Sequence, residues 1–183
     1  LSLALLVAAG PAAAQGLDGR LKKIADSKTI TIAYRADATP FSFTDDNKEV
    51  VGFSVDLCKR VVNSIENQLN VKELKIKWLP VTTQTRFDAI AKGQADMECS
   101  SSTVTLSRLK LVDFSSYIFL ETTGLMVKGG AGLRSISDMG GKKIAVIGGT
   151  TNERAVTAQL KARQLSATVV PFKSRDEAFA ALE

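Results

Sequence analysis

The sequence predicts an α/β protein built as two lobes, each with a parallel sheet packed between helices. Three observations carry this reading. β-branched, alternating runs recur between amphipathic helical stretches, the pattern of parallel strands joined by helical crossovers. A glycine-rich break at Lys128-Gly-Gly-Ala-Gly132 interrupts that pattern, which then begins afresh. The chain has 183 residues, 45% hydrophobic and 23% charged, a normal globular composition long enough for one domain or two small lobes.

The elements follow in order. Leu17, Leu21 and Ile24 repeat at helical spacing and predict a short first helix. Thr29 to Tyr34 alternates and is β-branched, so it predicts the first strand. Asp45-Asp-Asn47 is a turn signal between two extended pieces, Pro40–Phe43 and Val50–Phe53. Ser54 to about Leu69 predicts a helix with Val55, Val61, Val62, Ile65 and Leu69 on its apolar side. Leu74 to Leu79 alternates again and predicts the second strand. Thr83 opens a helix that ends at a Gly93 C-cap. Ala95 to Glu98 is a third, short strand. Leu106 to Leu109 reads as a brief helix, and Val112 to Val127 as a long extended segment. After the glycine break come a short helix over Ser135–Met139 and a strand over Lys143–Ile147. A helix runs from Gly148-Gly-Thr-Thr151 to about Gln164, with Ala155, Ala158 and Leu160 among its apolar positions. A strand over Ala167–Phe172 and a helix capped by Ser174 complete the chain.

The first residues bear on the compartment. Leu1 to Gly10 is an apolar run too short to span a bilayer, and Pro11-Ala-Ala-Ala14 supplies small residues after it. This is the core and Ala-x-Ala cleavage site of a secretory signal peptide, so residues 1–14 are expected to be removed and the protein exported to the periplasm. Neither an initiator Met nor a positively charged region precedes Leu1. Phe179 and Leu182 still lie on an apolar stripe when the sequence stops at Glu183 without a C-cap. The second lobe is therefore expected to continue further than this sequence.

Charge and cysteine content exclude several classes. There are 24 Lys+Arg against 19 Asp+Glu, a net charge of +5. The cations are spread along the chain rather than gathered in a basic arm, which argues against nucleic acid as a partner. With His 0, histidine chemistry is absent. Cys58 and Cys99 have no metal-ligand spacing to another Cys, so no zinc site is expected. In an exported protein the two could pair with each other or with a further cysteine. Cys58 on its amphipathic helix reads most simply as a buried thiol.

One cluster carries the chemistry. Thr83-Gln-Thr-Arg86, Glu98-Cys-Ser-Ser-Ser-Thr103 and Arg108 each sit just past a predicted strand or in a first helical turn. Strand ends and helix starts expose backbone N–H groups, and arginine adds a planar fork matching a carboxylate. The cluster is expected to hold a small anion. The structural alternatives are a surface ion pair for Arg86, with Asp88 or Glu49, a similar one for Arg35, and a plain N-cap for Thr150 or Thr151.

Several stretches together resemble the bacterial extracellular solute-binding proteins for polar amino acids. They are Pro40-Phe-Ser-Phe43, Val51-Gly-Phe-Ser-Val-Asp-Leu57, Arg86-Phe-Asp-Ala-Ile-Ala-Lys-Gly93, Ala95-Asp-Met-Glu98 and Val112-Asp-Phe-Ser115. Val81-Thr-Thr-Gln-Thr-Arg86, Glu98-Cys99, Lys128-Gly-Gly130 and Gly149-Thr-Thr151 point to the glutamate/aspartate-binding members that serve ABC importers. The resemblance implies a type II periplasmic binding-protein fold. Two lobes, residues 15–123 and an incomplete 124–183, would be joined by hinge strands, with the amino acid between them.

The resemblance also assigns roles. Arg108 would clamp the ligand α-carboxylate, with Ser101 and Thr103 as hydroxyl and backbone partners. Thr151 would add the helix N-terminus of the second lobe. Arg35, Thr83 and Arg86 would hold the side-chain carboxylate. Arg175 stands where similar proteins carry a histidine, so it would keep or strengthen the cationic pocket. Phe41 and Tyr34 would wall the pocket or belong to the core. The implied partners are an acidic amino acid, with glutamine as a third candidate, and an inner-membrane ABC permease. A monomer without cofactor or metal is expected. The same fold also serves periplasmic cyclohexadienyl-dehydratase-like enzymes, where Glu98 would be the acid or base, and sensory ligand-binding domains.

Overall fold

Residue Ile32 is wholly enclosed, and the first sheet is built around it. The computed structural model describes residues 17–183; the expected signal peptide, residues 1–14, lies outside the described residues. Helix α1 (Gly19–Ser27) leads into β1 (Thr29–Tyr34). The short strands β2 (Asp37–Ala38), β3 (Ser42–Thr44) and β4 (Val50–Val51) form an antiparallel sheet around the Asp45–Asn47 turn. Helix α2 (Phe53–Leu69) returns the chain to β5 (Lys75–Pro80), and α3 (Arg86–Ala91) leads to β6 (Met97–Cys99). β1 lies between β5 and β6, parallel to both, with Ile32 opposite Trp78 and Met97.

A central parallel strand is covered on both faces, which explains why Ile30, Ile32 and Ala33 are all buried. Ile24 of α1, Val62 of α2, Leu74 and Cys99 complete that core. Val61 does not join it, against expectation. It is 46% exposed, because a helix turns about 100° per residue and Val62 already occupies the inward direction. Gly52 precedes α2 with φ 129°, and a Cβ there would lie 2.4 Å from the Phe41 carbonyl oxygen, so only glycine fits.

The expectation of a free buried thiol at Cys58 is overturned. Cys58 and Cys99 form a disulfide that ties α2 to the end of β6. Helix and strand pack face to face there, which brings residues 41 apart in sequence within bonding reach.

Three further boundaries differ from expectation. α3 starts at Arg86 rather than Thr83, because Thr82 and Thr85 exchange hydroxyl and backbone hydrogen bonds and hold a turn before it. Residues 106–111 are turns. The Arg108 and Leu109 N–H groups both donate to the Thr105 carbonyl, so no regular helical ladder forms. Residues 112–127 join none of the sheets among the described residues.

After the glycine break a 3-10 turn over Ile136–Met139, capped by Ser135 and Asp138, precedes β7 (Lys143–Ile147). Helix α4 (Thr151–Ala162), β8 (Thr168–Phe172) and α5 (Arg175–Leu182) follow. β7 and β8 are parallel, with Ile144 opposite Val169. Met139, Ile144, Val146, Val156 and Leu160 form a second core. Val156 takes the inward place that the sequence reading gave to Ala155 and Ala158; Ala158 is exposed. Ser174 caps α5 as expected, accepting from the Glu177 N–H.

A disulfide closing a loop of 41 residues should stabilise the fold by about 4 kcal/mol through the unfolded chain's entropy. Cys58→Ser/Cys99→Ser is expected to lose that amount in urea unfolding. A loss below about 1 kcal/mol would contradict the assignment.

Candidate functional site

The parallel strands deliver their carboxyl ends to one place, where ligands of open α/β sheets are expected. Arg35 follows β1, the Thr83–Arg86 segment follows β5, and Ser100–Thr103 follow β6. The Gly148–Thr151 turn follows β7, and Arg175 opens α5 just after β8. A cleft of about 570 Å³ lies among them, lined by Arg35, Arg86, Ser101, Thr103, Thr151 and Arg175. Thr83 and Arg108 are not in its lining. They stand at its edge and bind the Gly148–Gly149 turn: the Thr83 hydroxyl donates to the Gly148 carbonyl (2.8 Å), and Arg108 Nη2 to that of Gly149 (3.4 Å). Thr103 and Thr151 meet hydroxyl to hydroxyl at 3.2 Å.

Arg86 is the unusual residue. It is only 2% exposed, and its Nε has no hydrogen-bond partner. The alternative of a surface ion pair is not what forms, because α3 presents Arg86 inward and Asp88 outward, where Asp88 binds Lys92 instead (2.6 Å). Burial lowers the Arg86 pKa to about 10. Glu98 opposes that shift, and the charges of Arg108 and Arg35 add to it. The phenyl ring of Phe87 holds the two neighbouring cations, with the guanidinium carbons of Arg86 and Arg108 at 4.9 and 4.7 Å from its centroid.

Arg108 is also buried, and burial followed by the nearby Arg154 charge lowers its pKa. Its Nη1 donates to the Thr103 carbonyl at 2.7 Å. Glu98 is the carboxylate beneath this cluster. Burial raises its pKa, while Arg86, a hydrogen bond from the Ser102 hydroxyl (3.1 Å) and Arg35 pull the other way.

Arg35 has an anion, but not on the surface. Its Nε and Nη2 donate to the two oxygens of Asp37 at 3.0 and 2.8 Å, in a fork-to-fork pair. Buried Ser42 fixes the backbone there, accepting from the Arg35 N–H and donating to its carbonyl. Arg175 is more than a solvated first-turn residue: its Nη1 donates to the Thr39 carbonyl at 2.5 Å. Thr150 is the N-cap of α4, accepting from the Glu153 N–H, which leaves Thr151 free to face the cleft. Tyr34 packs edge-on against Trp78 and Phe41 against Phe119, and neither lines the cleft.

Sequence reading missed Asp37 and Phe87. For Asp37 a signal existed: opposite charges two residues apart at a strand exit can meet on one side of the chain. No sequence signal marks Phe87 as the ring between two arginines.

Residues 30–181 match the family of bacterial extracellular solute-binding proteins, family 3, and the chain belongs to that family. It is 37% identical to an L-glutamate/L-aspartate-binding protein of Pseudomonas aeruginosa, over 100% of this chain and 62% of that protein. It is 33% identical to a glutamate/aspartate import solute-binding protein of Salmonella typhimurium, over 94% of this chain and 56% of that one. The chain thus spans about three fifths of the length of these relatives. Among solved structures it is similar to an ancestral amino-acid-binding protein described as a precursor of cyclohexadienyl dehydratase. That match has a TM-score of 0.76 at 30% identity, covering 90% of this chain and 69% of the other. The fold is that of type II periplasmic amino-acid-binding proteins, as expected.

The raised Glu98 pKa has a consequence for stability. The favourable contribution of the protonated carboxyl is fully present below the ordinary value of 4.5 and is lost as pH rises through the folded value. Glu98→Gln cannot ionise, so its stability relative to wild type should increase from pH about 4 to about 7 in urea unfolding. A constant difference, or one of opposite sign, would contradict this placement of Glu98.

Proposed function

We propose that this protein is the exported solute-binding component of an amino-acid ABC importer. It captures glutamate or aspartate between two lobes, residues 15–123 and from 124 onward, and delivers it as a monomer to an inner-membrane permease. Family membership and the glutamate/aspartate-binding relatives support the class. The observation that carries the ligand is Arg86, a buried guanidinium in the cleft wall whose Nε has no protein partner. A buried cation in that state is costly, and a carboxylate relieves the cost.

In this reading Arg86 meets the ligand's side-chain carboxylate, with Arg35 and Thr83 beside it and Arg175 across the cleft. Arg108 meets the α-carboxylate, with Ser101, Thr103 and Thr151 around it. Lobe closure follows from contacts that the ligand makes to both sides at once. Export is supported by the Ala12-Ala-Ala14 cleavage pattern and by the disulfide, which persists in an oxidising compartment. A dehydratase on this fold would need an acid facing the substrate. Glu98, the candidate acid, does not line the cleft.

Calorimetry on the full-length protein tests the assignment. Arg108→Ala should weaken glutamate binding by about 2–5 kcal/mol, as expected on losing a buried charge-assisted pair. Wild-type affinity in that variant would refute the role. Arg86→Ala should weaken glutamate and aspartate more than glutamine; equal losses for acid and amide would show that Arg86 does not read the distal carboxylate.

A further inference from the structure

Arg35 lines the cleft, yet its fork is already engaged. Both oxygens of Asp37 accept from it, at 3.0 and 2.8 Å, and the two side chains are 5% and 22% exposed. Asp37 is itself held from the opposite side: its Oδ2 accepts from the Arg175 backbone N–H at 3.4 Å, while the Arg175 side chain grips the Thr39 carbonyl. The carboxylate is thus fixed between the end of β1 and the start of α5. Its orientation is set by two elements rather than by side-chain chance.

Two consequences follow for the cleft. Asp37 cancels the charge of Arg35 at short range, and it takes one of the two edges, Nε with Nη2, by which a guanidinium can clamp a carboxylate. Among the described residues Arg35 Nη1 has no hydrogen-bond partner, so three of the five guanidinium N–H groups, two on Nη1 and the second on Nη2, are left as donors. These donors serve an amide oxygen as well as a carboxylate oxygen, and the charge that would favour the carboxylate is offset by Asp37. Arg86, by contrast, enters no ion pair among the described residues. The two cations of the cleft wall therefore differ in kind, one neutralised and one not.

We infer that Asp37 is a specificity-determining residue: by neutralising Arg35 it holds down the preference for acidic over amide side chains that two unpaired arginines would give. This rests on the acidic-amino-acid reading above. Asp37 touches the ligand in no step of this account; it acts through Arg35. Replacing it by asparagine keeps an oxygen for one Arg35 N–H and removes the charge. A glutamate side-chain carboxylate then meets a free cation, while glutamine, which is neutral, gains little.

The test is calorimetric titration of glutamate and glutamine into full-length wild type, Asp37→Asn, Asp37→Ser and Asp37→Glu, with circular dichroism to establish folding. The ratio of glutamate to glutamine affinity should rise about tenfold in Asp37→Asn. Asp37→Ser, which also removes the charge, should do the same and supplies the readout if the asparagine variant fails to fold. Asp37→Glu should stay near the wild-type ratio. A ratio that is unchanged or lower in both charge-removing variants, with wild type binding normally, would overturn this inference and leave the functional reading intact. Equal loss of both ligands, the result of a merely structural role, would overturn it too. Wild type that binds neither amino acid would remove the functional reading and this inference with it.

Discussion

A parallel sheet has polarity: all of its strands end at the same edge. β1, β5 and β6 share that direction, and so do β7 and β8. Five segments that are far apart in sequence thus leave their strands around one cleft, with no special device needed to gather them. The edge also exposes backbone groups that the ladder no longer satisfies, so hydroxyls and arginines placed there find partners at once. The Gly148–Gly149 turn shows this well, since its two carbonyls accept from Thr83 and Arg108 of the other sheet's exits.

Charge is the second constraint, and it follows from the first. Bringing Arg35, Arg86 and Arg108 to one edge buries three cations together. The protein answers each differently. Arg35 receives Asp37, Arg108 uses backbone carbonyls, and Arg86 has the face of Phe87 and only the longer-range fields of Glu98 and Asp37. Burial, with the charges of Arg108 and Arg35, lowers the Arg86 pKa to about 10 against the opposing pull of Glu98 and Asp37. A site for an anion is built this way: the scaffold holds a cation that it does not itself neutralise.

Much of this was legible in the sequence. The alternation of Thr29–Tyr34, the helical period of α2 and the caps at Gly93 and Ser174 all report local physics, and local physics decided those elements. Of the eight candidate site residues, Thr83, Arg86, Ser101, Thr103 and Arg108 stood out as a cluster at strand exits and helix starts, while Arg35, Thr151 and Arg175 came from the family resemblance; six of the eight line the cleft. What was not legible depends on contacts between distant segments. The Cys58–Cys99 bond needs α2 to cross the end of β6. The unpaired course of residues 112–127 depends on which strands lie beside it. Whether Val61 or Val62 faces inward turns on about 100° of helix rotation, finer than an apolar stripe can resolve. The difference between Arg35 and Arg86 is likewise tertiary: both are strand-exit arginines, and only the fold shows that one has a carboxylate and the other a phenyl ring.

The central claim is that Arg86 is left uncompensated by the protein so that a ligand carboxylate can complete it. A crystal structure of the full-length protein with bound glutamate tests this most directly. The account predicts a ligand carboxylate oxygen within hydrogen-bonding distance of the Arg86 guanidinium, about 2.7–3.2 Å. Glutamate bound with its carboxylates turned away from Arg86, or held elsewhere on the surface, would contradict it.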